Sequence, residues 1–123
     1  MPEKNTSNKN GGGRIEVVLT HCAVRRIFEQ FWVPNPERIT QALARAVREG
    51  QVSVCGRKVL VELGCILMVG ELSGSVFRVE TIFNLSNGIP ERIKEMLDPQ
   101  RPSPWGNCEV IVREGDGGEQ RQD

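Results

Sequence analysis

The sequence is short of most groups that enzymes rely on. Its 123 residues include no tyrosine and a single histidine. No apolar run approaches the roughly 20 residues that a membrane-spanning helix needs, so no membrane contact is expected. The polar opening, Met1 to Gly13, lacks the apolar segment of a secretory leader, and a cytoplasmic location is the expectation. Four cysteines, Cys22, Cys55, Cys65 and Cys108, include no Cys-x-x-Cys pair, which argues against a zinc cage. Free thiols in a reducing compartment are expected, with a Cys55–Cys65 bridge across a hairpin as the disulfide left open. Gly11-Gly12-Gly13 precedes a strand and has no lysine after it, so it is not a phosphate loop. Neither G-x-S-x-G nor H-E-x-x-H occurs, and no paired aspartates suit magnesium. Nothing calls for a metal or a cofactor.

An excess of one charge is also missing. Sixteen basic residues balance sixteen acidic ones, which excludes a general polyanion-coating protein. The distribution is uneven, however. Arg14 to Lys58 holds eight basic and four acidic residues, a surplus of +4, and Asp98 to Asp123 holds three basic and six acidic, a balance of −3. A basic front suits nucleic-acid contact with a self-shielding tail, and it equally suits solvated helix faces.

What is present reads as one small α+β domain over 14–97, between a polar tail at 1–13 and a Pro/Gly-rich acidic tail at 98–123. The β-branched run from Arg14 to Leu19 predicts a strand. Thr20 is a candidate N-cap for a helix whose apolar stripe is Val24, Ile27, Phe28 and Phe31. Trp32 to Pro36 breaks it. Asn35 and Pro36 then open a second helix with Ile39, Leu43, Ala46 and Val47 on one face and Gly50 as its stop. Four strands follow, over Gln51–Cys55, Lys58–Leu63, Cys65–Glu71 and Val76–Asn84. In the last, Phe77, Val79, Thr81 and Phe83 fall on one face and Val76, Arg78, Glu80 and Ile82 on the other. Pro90 opens a short helix with Ile89, Ile93, Met96 and Leu97 as its apolar face, and Glu109 to Arg113 is a candidate edge strand within the tail. The expected order is β-α-α-β-β-β-β-α, an antiparallel meander with two N-terminal helices packed on one face and the other face left for a site.

Chemistry that needs few special groups fits such a chain. RNA cleavage is an example, because the 2′-hydroxyl is the nucleophile and the protein supplies proton transfer and cations for the phosphorane oxygens. His21, with a near-neutral ordinary pKa, begins the first helix one turn before Arg25. Arg78 stands mid-strand beside Glu80, a phosphate fork next to a candidate base. His21, Arg25, Arg78 and Glu80 are thus the candidate catalytic set. Arg26, the hairpin-tip pair Arg57 and Lys58, Thr81 and Asn84 are candidate nucleic-acid contacts. Each also has a plain structural reading: an exposed histidine at a helix start, solvated helix arginines, turn residues, and a cross-strand ion pair from Arg78 to Glu62 or Glu71.

The helix opening on Thr20-His21-Cys22-Ala23, the arginines one turn later, and the strings REGQV, GRKVLVEL and ILMVGELSGSVFRVETIF together resemble the small ribonuclease-toxin superfamily of RelE- and BrnT-like proteins, over about Ile15 to Asn84. The resemblance implies a compact α+β sheet, metal-independent RNA cleavage and neutralisation by an antitoxin-like protein partner. It places the helix histidine at His21, the following arginine at Arg25 or Arg26, and the late-strand pair at Arg78 and Thr81. The alternative is a non-catalytic module on the same scaffold that binds nucleic acid or protein. Catalysis requires His21, Arg25 and Arg78 to meet on one concave surface.

Overall fold

A computed structural model describes residues 13–31, 35–97 and 99–115. The expected tail over residues 1–12, the break at 32–34 and the acidic end at 116–123 lie outside the described residues. Strand β1 (Arg14–Leu19) leads into α1 (His21–Gln30), followed by α2 (Pro36–Glu49) and strands β2 (Gln51–Cys55), β3 (Lys58–Leu63), β4 (Ile66–Ser73) and β5 (Val76–Asn84). A 3-10 turn (Leu85–Asn87), α3 (Glu91–Met96), β6 (Arg101–Pro102) and β7 (Glu109–Glu114) complete it.

The helix boundaries follow the side chains the sequence supplies. Thr20 caps α1 by accepting the Ala23 N–H at 3.2 Å, and its hydroxyl donates to the Val79 carbonyl at 2.9 Å, fastening the helix start to β5. Asn35 accepts the Glu37 N–H at 2.9 Å and Pro36 occupies the first turn of α2. Gly50 ends α2, but not through a left-handed conformation: its φ is −80°. A Cβ there would lie 2.5 Å from both the Ala46 and Glu62 carbonyl oxygens, so close approach of helix end and sheet demands the glycine.

The sheet is mixed, not an antiparallel meander throughout. Its order is β6-β2-β3-β4-β5-β1-β7. Strands β2 to β5 form the expected four-strand meander, whereas β1 runs parallel to β5 on one side and to β7 on the other. This explains why Ile15, Val17, Val18 and Leu19 are all buried, since an interior parallel strand has no wet face. The sheet does not stop at Leu97 either. The acidic tail returns to it as β6, which the sequence does not signal, and as β7, over the candidate edge strand, one at each edge.

The sheet is also curled. Helix α2 packs on both β3 and β7, which are four strand positions apart, ~19 Å in a flat sheet and wider than a helix. Residues 103–108 link β6 to β7 at opposite edges. Seven residue steps reach ~24 Å, short of the ~29 Å across a flat seven-stranded sheet. The link runs past the end of α2, where Ser103 donates to the Val47 carbonyl and Trp105 packs on the core.

Two apolar layers result. On one face, α1 and α2 bury Leu43, Ala46, Val47, Ala23 and Ile27 against Val17, Val61, Met68, Phe77, Val79 and Ile82. Of the expected α1 stripe, Phe28 is not part of this layer and is 64% exposed. The opposite face, expected to be free, is half covered. Helix α3 sets Ile93 over Leu60, Leu67, Val69 and Phe83, and the Ser53 hydroxyl donates to the Leu97 carbonyl at 2.8 Å.

The pairing of β4 with β5 contains the feature that shapes the site. Val69 faces Thr81 but Gly70 faces Val79, so Glu80 is an extra residue in β5. Beyond it the alternation reverses. Ile82 joins the α1/α2 layer, and Phe83 joins the α3 layer with Leu60 and Val69. Regular alternation, which puts Phe77, Val79, Thr81 and Phe83 together, fails here for that reason. Gly70 permits the bulge: a Cβ would fall 2.0 Å from the Arg78 carbonyl oxygen.

Candidate functional site: an arginine cleft

Because Thr20 pins the start of α1 to the carbonyls of Val79 and Glu80, the exposed side of the helix stands beside the bulge. Residues Cys22, Arg25 and Arg26 of α1 face Glu80, Thr81 and Phe83 of β5 across a cleft of about 510 Å³, closed at its far side by Pro90 and Arg92 at the start of α3. Three arginines from two helices therefore share one concavity.

Their balancing charge is thin. Glu29 lies 3.9 Å from Arg25 and 3.6 Å from Arg26, one carboxylate for two guanidiniums. Arg92 has no ion-pair partner among the described residues. With Glu29 counted, the three arginines leave a surplus of two positive charges. The Arg26 guanidinium rests over the Phe83 ring at 5.3 Å, and its Nε is buried without a hydrogen-bond partner among the described residues. The Arg26 guanidinium is thus held at the Phe83 side of the cleft.

Glu80 does not add an open negative charge. The Lys58 ammonium lies 2.5 Å from its Oε1 and 3.2 Å from Glu71 Oε2. The hydrogen bond that Lys58 donates to Glu80 raises the Lys58 pKa above the ordinary 10.5, partial desolvation opposes this, and Glu71 adds to the rise.

Four of the nine residues proposed from sequence come together here: Arg25, Arg26, Glu80 and Thr81. Lys58 stands just behind the wall as the counter-ion of Glu80. The other four do not line the cleft. His21 is exposed on the first turn of α1. Arg57 is exposed in the β2–β3 turn. Arg78 is exposed on β5 before the bulge, and the pairing with Glu62 or Glu71 expected of it does not form. Asn84 is structural, donating to the Gln30 carbonyl at 3.0 Å and capping the 3-10 turn through the Ser86 N–H.

Sequence reasoning missed Cys22, Phe83, Pro90 and Arg92. Unbroken alternation puts Phe83 on the face of Phe77 and Val79, although a glycine inside a strand pattern, here Gly70, signals a bulge. Arg92 lies off the apolar face by which the short helix is recognised.

The remaining candidates are weaker. An apolar hollow of about 210 Å³ between α1, α2 and β7 includes Arg113, but that side chain is tied to Glu16 at 2.9 Å. Cys55 and Cys65 are free and sit at opposite ends of β3, ~17 Å apart along a strand, beyond disulfide reach. No group of three or more His, Cys, Asp or Glu suited to a metal occurs among the described residues. No helix among them is long and apolar enough to cross a membrane. No family model matches the sequence, and no curated protein or solved structure is significantly similar to it.

Proposed function

We propose that the protein is a single-stranded RNA-binding module that holds the sugar-phosphate backbone in the arginine cleft. The observation that carries this reading is the meeting of Arg25, Arg26 and Arg92, with one neighbouring carboxylate to share, beside the Arg26–Phe83 stack. Guanidinium forks match phosphate oxygens in pairs. A guanidinium beside an aromatic ring, as Arg26 is beside Phe83, is a pairing that single-strand binding sites use for an unstacked base. An acidic protein segment, such as an antitoxin-like partner would bring, meets the same charges but gains nothing from that pairing.

Toxin-type RNA cleavage is the reading this one replaces. It needs an imidazole or a free carboxylate beside the phosphate. His21 does not line the cleft, and Glu80, which does, is engaged by Lys58. Cations alone position a phosphodiester without transferring its protons.

The test is titration of a fluorescently labelled RNA hexamer, followed by anisotropy at several salt concentrations. Three neutralised phosphates give a log–log salt slope of about −2, and Arg92→Ala reduces its magnitude by about 0.7. RNA incubated with the wild type in EDTA stays intact. Salt-insensitive binding sinks the cleft as the contact surface. Cleavage lost in His21→Ala restores the nuclease reading.

A further inference from the structure

The arginine cleft is not closed at its inner end. A second hollow, of about 390 Å³, adjoins it and shares the Arg26, Phe83 and Pro90 walls. Its own floor and rim are Gln30 at the end of α1 and Asn87 in the 3-10 turn, with Gly88 and Ile89 alongside. Both hollows fall within the ~300–1,000 Å³ of ordinary ligand pockets. The first is lined by cations and the second by amides.

The orientation of those amides can be deduced. The Asn84 backbone N–H lies 3.3 Å from the outer atom of the Gln30 amide, and because an N–H can only donate, that atom is the oxygen, Oε1. Asn87 lies 3.4 Å from the same Oε1, so it too presents its donor, Nδ2. Gln30 Nε2 and Asn87 Oδ1 are left with no hydrogen bond to the described residues. Two residues that line the hollow beside Phe83 and Arg26 thus bring a donor and an acceptor with no described partner, their orientation fixed by a backbone group.

We infer that this second hollow is a nucleobase subsite: an unpaired base stacks against the Arg26–Phe83 wall, its edge read by Gln30 and Asn87, while Arg25 and Arg92 hold the neighbouring phosphate. The inference rests on the RNA reading of the arginine cleft and adds to it that binding depends on base identity. A donor beside an acceptor is the pattern that amide side chains use on base edges, and a good two-bond contact discriminates between bases by about tenfold. Asn87 is the residue to change, because it is exposed and its single described side-chain bond is to Gln30, whereas Gln30 also supports Asn84.

The experiment compares affinities of the full chain for hexamers of adenylate, cytidylate and uridylate and for an abasic ribose-phosphate hexamer. Expected for the wild type is a spread of about tenfold across the three bases, with the abasic strand weakest. Asn87→Ala narrows that spread to about twofold, leaves abasic binding unchanged, and does not shift the thermal midpoint. Asn87→Asp, which keeps the size and an acceptor but loses the donor that meets Gln30 Oε1, unties the amide pair and also narrows the spread. Equal affinity for all four strands overturns the subsite and leaves the arginine cleft standing. An undiminished spread in both variants overturns the assignment to these amides. Failure to bind any strand, abasic included, overturns the RNA reading itself.

Discussion

Two charged patches lie on the α3 side of the sheet and share Glu80, yet they use charge differently. In the patch on the open strands, Lys58 sits between Glu71 and Glu80, one ammonium for two carboxylates. In the cleft around the bulge, Arg25 and Arg26 divide a single Glu29, and Arg92 has no ion-pair partner among the described residues. In the first patch the two carboxylates share one ammonium across neighbouring strands, a net charge of −1. The second is assembled from α1, β5 and α3, and its three arginines stand on the helices, off the strand ladder. A surplus of charge accumulates where separate elements meet, and that is where a ligand is needed to complete it.

The comparison breaks most severely if the bulge is removed. Gly70→Ala puts a methyl group against the Arg78 carbonyl, 2.0 Å away in the present backbone. A loss of about 3 kcal/mol or more is expected in urea denaturation, with RNA affinity falling alongside. A variant that is as stable as the wild type would mean that the bulge is not what holds Phe83 and Thr81 at the cleft.

Lys58→Met opens the first patch. The partners are partly exposed, at 43% for Glu71 and 32% for Glu80, so the stability cost is about 1 kcal/mol. Glu80 then faces the cleft uncompensated, and RNA affinity falls by about threefold, the effect of one added charge in a water-like dielectric. The pH dependence has a definite sign. The raised Lys58 pKa means the contribution is fully present below 10.5 and is lost as the pH rises through the higher folded-state value. Denaturation midpoints of wild type and variant should therefore converge above pH 10.5.

Arg78→Ala is the smallest change. The side chain is exposed, makes no ion pair among the described residues and does not line the cleft. Stability within 0.5 kcal/mol of wild type and an RNA affinity within about twofold are expected. A larger loss of binding extends the site across the open strands and removes the distinction between the patches.

Much of the local structure was legible. Thr20 and Asn35 announce helix starts because a side-chain oxygen satisfies N–H groups that the helix leaves unpaired. The β2 to β5 strands follow from their turns and alternation, and α3 from Pro90 and the spacing of Ile89, Ile93 and Met96. The site was half legible. Arg25 and Arg26 could be found because they project from an amphipathic helix, while His21 and Arg78 were joined to them by chemistry and not by position. The displaced residue was Phe83, read on the wrong face because one inserted residue reverses every later side chain.

Sequence alone determined the elements of this protein, since caps, turns and apolar periodicity act between residues a few positions apart. Only the tertiary structure decided the mixed sheet, with β1 between β5 and β7, and the cleft that α1, β5 and α3 enclose. Those depend on pairing across many tens of residues, as between Thr20 and Val79, where competing arrangements of the same apolar faces differ in packing and not in local pattern.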